Sequence, residues 1–194
     1  MRRSSVLVGR SVLALLMAFG SYAVLGGGSR PLEGNALDGA VSGAGYEHAR
    51  VGDAWWVMLP AVRNRSGAPV EVIGVQVLDL PRGLRAERYA AFDADETGAP
   101  FLMVPDGSPE FPSGRYTDHS ARPLRLAPGE TSHVYPAVKV RVTGEVLGEP
   151  SSCRFTYARG ADRFTQVLPC GFTLRLTPEE PEEGFLAAEV PAVS

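Results

Sequence analysis

The sequence predicts an all-β fold, an antiparallel β-sandwich preceded by one N-terminal hydrophobic helix. Three observations predict it. A single long apolar run, Ser11 to Gly28, follows three arginines. Beyond it no stretch keeps a helical period, and apolar residues come instead in short, often alternating runs. Those runs are punctuated by glycine and proline, 22 and 16 in a chain of 194, at the spacing that joins short strands.

The bulk composition is that of a globular protein, 44% hydrophobic and 21% charged. Of the 19 basic residues only Lys139 is lysine, and 22 residues are acidic. Arg2, Arg3 and Arg10 all precede the apolar run, so the body of the chain is mildly acidic. A nucleic-acid binder needs a basic patch to displace counterions from phosphate, and the sequence contains none.

The order positive flank, apolar run, Gly/Ser break is that of an export signal. The positive side stays inside, which places everything downstream outside the membrane. The run is longer than a usual signal core and just reaches the length that spans a bilayer, so residues 1–28 read as a cleaved signal peptide or an uncleaved transmembrane signal-anchor. No cysteine follows the run closely, which excludes a lipid-anchored lipoprotein. Residues 29–52, rich in Gly, Ala and Ser, read as a flexible linker. Residues 53–177 read as the sandwich, and the proline- and glutamate-rich 178–194 as an acidic mobile tail.

Within the sandwich the strands are taken in order. Trp55 to Val62 is a first, closed by Asn64-Arg65-Ser66-Gly67. Pro69 to Leu80 is a second, with Gly74 interrupting the alternation as a bulge does. Leu84 to Phe92 and Phe101 to Val104 follow, then a long polar loop from Asp106 to Arg122. Pro123 to Leu126 runs into Ala127-Pro128-Gly129-Glu130, the composition of a type II turn. Val138-Lys139-Val140-Arg141-Val142 has the cleanest period of two, with three valines to one face and two cations to the other. A hairpin and the strand Phe172 to Leu176 complete the body.

The hairpin holds the only two cysteines, Cys153 and Cys170. In an oxidising exterior two cysteines are most simply a disulfide. A four-residue loop at Gly160-Ala161-Asp162-Arg163 would set Cys153 directly opposite Cys170, about 5 Å apart at Cα, within bridging range. A zinc or redox site would want paired C-x-x-C spacing, which is absent.

Candidate chemistry is sparse. There is no G-x-S-x-G, and His48, His119 and His133 stand in loop-like surroundings without evident partners, so no catalytic residues are assigned. Copper handling would draw on Met58, Met103, His119 and His133, although both methionines sit in apolar runs where Met ordinarily fills core gaps. Asp93-Ala94-Asp95-Glu96-Thr97-Gly98 starts like a calcium loop, but Val104 stands where the bidentate Glu belongs, which favours a polar turn. Trp55-Trp56 places adjacent side chains on opposite faces of a strand, so one fills the core and the other is left at the surface or an edge, where tryptophan makes a binding hot spot.

Together the export segment, the strand run Asn64 to Val72 and the turn Ala127-Pro128-Gly129-Glu130 resemble the small exported or membrane-anchored immunoglobulin-like sandwich proteins of GC-rich Gram-positive bacteria. The resemblance spans roughly residues 53–177. It implies an immunoglobulin-like fold and an extracytoplasmic location, and brings no catalytic residues with it. The expected function is a non-enzymatic binding module of the cell envelope. It would be secreted or held to the membrane by its N-terminal segment, need no cofactor, and take an envelope protein or cell-wall partner. Exported metal handling and hydrolysis are the alternatives.

Overall fold

The computed structural model describes residues 30–39, 43–98, 100–150 and 152–176. The expected signal or anchor and the acidic tail lie outside the described residues. The described residues fall, from Pro31 onward, in one compact unit, and none of their helices is long and apolar enough to cross a membrane.

The unit is mostly strand, with antiparallel sheets. Its elements are β1 (Leu32–Glu33), β2 (Leu37–Gly39), β3 (Ala44–Ala49), β4 (Ala54–Met58), β5 (Val62–Asn64), β6 (Val70–Leu78), β7 (Arg82–Asp93) and α1 (Ala94–Thr97). After these come β8 (Met103–Pro105), β9 (Leu124–Leu126), β10 (Val134–Leu147), β11 (Ser152–Arg159), β12 (Asp162–Pro169) and β13 (Phe172–Leu176). One sheet runs β1-β12-β11-β6-β9 and a second runs β7-β10-β4-β8, with the small pairs β3/β13 and β2/β5 beside them.

Alternation decides which residues meet between the sheets. Val138, Val140 and Val142 of β10 are buried, as their period predicts. They join Trp55 and Val57 of β4, Phe155 and Tyr157 of β11, and Val70 and Val77 of β6 in one apolar cluster. Both large sheets therefore contribute to a common core. Gly74 sits at the expected irregularity, where the β6–β11 register shifts between Thr156 and Tyr157. The Ala127–Glu130 turn closes with Glu130 N–H donating to the Ala127 carbonyl at 3.1 Å, and Gly129 has φ of 79°, the left-handed value a type II turn requires.

The cysteines form a disulfide, but not by the predicted register. Arg159 pairs with Asp162, so the loop is the two residues Gly160 and Ala161, and Cys153 faces Leu168. Gly160 takes φ of 63° at the first turn position, which permits a tight turn whose twist suits the flanking strands. Cys170 lies just past the end of β12, in the connection to β13, and its Cα is 5.6 Å from that of Cys153. Both sulfurs are buried in the main core.

The segment expected to be a linker is instead structured where described. β1 pairs in parallel with β12, β2 with β5 in antiparallel, and β3 in parallel with β13. Ala36, Leu37, Ala44 and Ala49 are core residues. The backbone is captured by distant side chains: Ala36 N–H donates to Tyr157 Oη at 3.1 Å, and Gln166 both accepts from Leu37 N–H and donates to its carbonyl. The tertiary partners overrode a composition that locally favours disorder. The domain therefore begins near Leu32 and not at residue 53.

Candidate functional site

The two tryptophans do point to opposite faces of β4, and both are buried, at 4% and 5% exposure. The expectation that one is left exposed fails because the outer face of the β7-β10-β4-β8 sheet is covered. The loop after β8, read as polar, turns Phe111 onto Trp56 with Tyr116 packed behind it on Phe111, and Phe92, Tyr135 and Phe101 complete a second cluster there. Trp56 Nε1–H donates to Asp106 Oδ1 at 2.8 Å, and Lys139 Nζ donates to Asp106 Oδ2 at 2.5 Å. The Arg88 guanidinium lies 5.9 Å over the Trp56 ring and also pairs with Asp118. Burial pushes the Asp118 carboxyl up, but hydrogen bonds from Ser120, Arg88 and the Ala91 N–H outweigh it and hold it at about 2. This face is a satisfied network with its ring hidden, so Trp56 is no free hot spot.

The methionine and histidine set does not converge. Met58 packs against the Trp56 cluster and Met103 against the main core, on opposite faces of the sheet. His119 Nε2 is 3.2 Å from Glu96 Oε1, and His133 Nε2 is 3.6 Å from Asp93 Oδ2, each pair at the surface. Among the described residues no group of three His, Cys, Asp or Glu side chains could hold a metal ion. The would-be calcium loop is the short helix α1. Asp93 caps it by accepting from Asp95 N–H at 2.8 Å, and Gly98 at φ of 78° ends it.

Trp55 leads to a different site, one the sequence reading passed over. Tyr46 and His48 fall on one side of β3, with Arg50 just beyond it, and the ends of the strand, Ala44 and Ala49, are buried. With Asp53 of the following turn, Ala54 and Trp55 of β4, and Pro105 and Asp106 at the end of β8, they line an open cleft of about 570 Å³. Tyr46 rests on Trp55 with ring centroids 4.2 Å apart, and His48 meets Tyr46 edge-on at 6.1 Å. Tyr46 keeps 37% of its surface exposed. Asp53 Oδ2 accepts from Arg50 N–H at 2.8 Å, which fixes the turn joining β3 to β4. Trp55 Nε1 is buried and has no acceptor. Besides Trp55, the sequence signal for this cleft was the aromatic and cationic alternation Tyr46, His48, Arg50. It fell in a segment whose glycines and alanines read as linker.

No family model matches the chain, and no curated protein matches it. Among solved structures, that of the Vibrio cholerae VesB protease aligns at 11% identity with a TM-score of 0.33, covering 71% of this chain and 32% of that one. The chain thus spans about a third of that protein's length, and a superposition this loose carries no inference about activity.

Proposed function

We propose that the chain is an extracytoplasmic module of the bacterial cell envelope, membrane-tethered or secreted, which works by binding and performs no chemistry. The observation that carries this reading is the open Tyr46–Trp55 cleft: a shallow aromatic wall ringed by polar groups, with no nucleophile–base pair in it. The compartment is supported by the arginine-flanked apolar run Ser11 to Gly28 and by the Cys153–Cys170 disulfide, which persists in oxidising surroundings. Two sheets sharing one core support an immunoglobulin-like sandwich as its architecture.

The test uses the full chain, tagged at its C-terminus and expressed in a GC-rich Gram-positive host. Fractionation and thiol labelling without reductant are expected to find it in the envelope with both cysteines blocked. Capture from envelope extracts is expected to depend on Tyr46 and to be lost in Tyr46→Ala. Cytosolic protein with free thiols would overturn the compartment, and capture indifferent to Tyr46 would overturn the site.

A further inference from the structure

The lining of the Tyr46 cleft, on the reading that it binds a ligand, also selects the ligand's class. Arg50 brings a cation to the opening and Asp53 a carboxylate, while Asp106 is already engaged by Trp56 and Lys139. A strongly charged ligand of either sign would therefore meet a like charge at close range, whereas a neutral ligand rich in hydroxyls uses both. The lining groups also keep hydrogen-bonding capacity of their own. Among the described residues, the Tyr46 hydroxyl, the His48 ring nitrogens and the Arg50 guanidinium have no hydrogen-bond partner, and only one Asp53 oxygen is taken. A guanidinium fork and a carboxylate each match two adjacent hydroxyls. The exposed Tyr46 ring, backed by the indole, offers the flat apolar surface on which the C–H face of a sugar ring rests.

We infer that the cleft binds a neutral polyhydroxylated ligand, a saccharide segment of the envelope. An extended peptide could instead add to β3, whose pairing among the described residues is with β13 alone. Peptide addition draws its specificity from apolar pockets for alternate side chains, and the cleft presents one aromatic wall amid charged groups.

The full chain is tested on an array of neutral and uronic-acid oligosaccharides, with the best neutral oligosaccharide then titrated calorimetrically. Expected is retention of a neutral class, weakened about tenfold by Tyr46→Ala, a loss typical of one ring contact. Asp53→Asn should weaken it similarly while keeping an oxygen to accept from Arg50 N–H, and Val167→Ser, on exposed β12, should leave it unchanged. If thermal melting shows Tyr46→Ala unfolded, Tyr46→Phe and His48→Ala replace it. Preference for acidic glycans unaffected by Asp53→Asn would overturn the inference. So would retention of no glycan while Tyr46-dependent capture of an envelope protein persists, which leaves the binding reading standing. Neither glycan nor protein bound would sink both.

Discussion

Removing the disulfide is the perturbation whose size the structure fixes best. Cys153 and Cys170 enclose a separation of 17 residues, and both are buried in the core that the two sheets share. The bridge limits the unfolded chain, and the entropy of closing a loop of that length amounts to about 3 kcal/mol at 25 °C. Cys153→Ala with Cys170→Ala leaves no buried thiol or hydroxyl behind, so the loss reports the crosslink plus a small packing term. For a domain of this size about 3 kcal/mol lowers Tm by roughly 10 °C. The assay is urea and thermal unfolding of the full chain, followed by near-ultraviolet circular dichroism, with and without reductant. Wild type in reductant should converge on the double variant once unfolded protein is sampled. A double variant melting within a degree or two of wild type would refute the reasoning, because the hairpin β11–β12 alone would then constrain the chain as well as the bond does.

Asn64, fully buried, donates through Nδ2 to the Ala68 and Leu126 carbonyls and accepts from Ser66 at both its N–H and hydroxyl. Asn64→Ala strands these groups and should cost about 2–4 kcal/mol, read as a lower urea midpoint at unchanged slope. Asp118 has its folded value depressed to about 2 from 3.8, so its stabilisation is present above pH 4 and is lost as pH falls towards 2. Screening at this partly exposed site reduces the contribution to roughly 1 kcal/mol, and Asp118→Asn should flatten that limb of the pH–stability curve. Trp56→Phe gives up the bond to Asp106 while Trp55→Phe gives up none, so the former should be the more destabilising by about 1 kcal/mol. Equal losses would mean that Asp106 is held by Lys139 alone.

How far the sequence carried the fold is visible strand by strand. Where side chains alternate in one short window, as in Val138 to Val142, pattern and structure coincide, because burial of one face is a local property of the strand. The Gly74 bulge and the Ala127–Glu130 turn were legible for the same reason: a glycine's freedom shows in its immediate neighbours. The β11–β12 register was not, since Gly160 can serve a two-residue or a four-residue loop. The choice moved Cys153 from opposite Cys170 to opposite Leu168 without breaking the bridge. What decided it was pairing along the whole hairpin, from Ser152 with Pro169 to Arg159 with Asp162.

The candidate site was less legible, and Trp55-Trp56 shows why. Alternation correctly sent the two rings to opposite faces, but which face is wet depends on what else lands there. Phe111 and Tyr116 are over fifty residues away in sequence, and they close the Trp56 side. Tyr46 comes from a strand held in place by Phe172 to Leu176, more than a hundred residues downstream, and it turns the Trp55 side into a cleft. A parallel pairing of this kind leaves no local trace, because neither β3 nor β13 needs a turn to meet the other. The cleft thus depends on the early strand β3, which the late strand β13 holds in place, and any truncation that removes β1 to β3 as linker removes it. A fragment beginning at residue 53 should lose the cleft together with the Ala36, Leu37, Ala44 and Ala49 share of the core, and so fail in folding before it fails in binding.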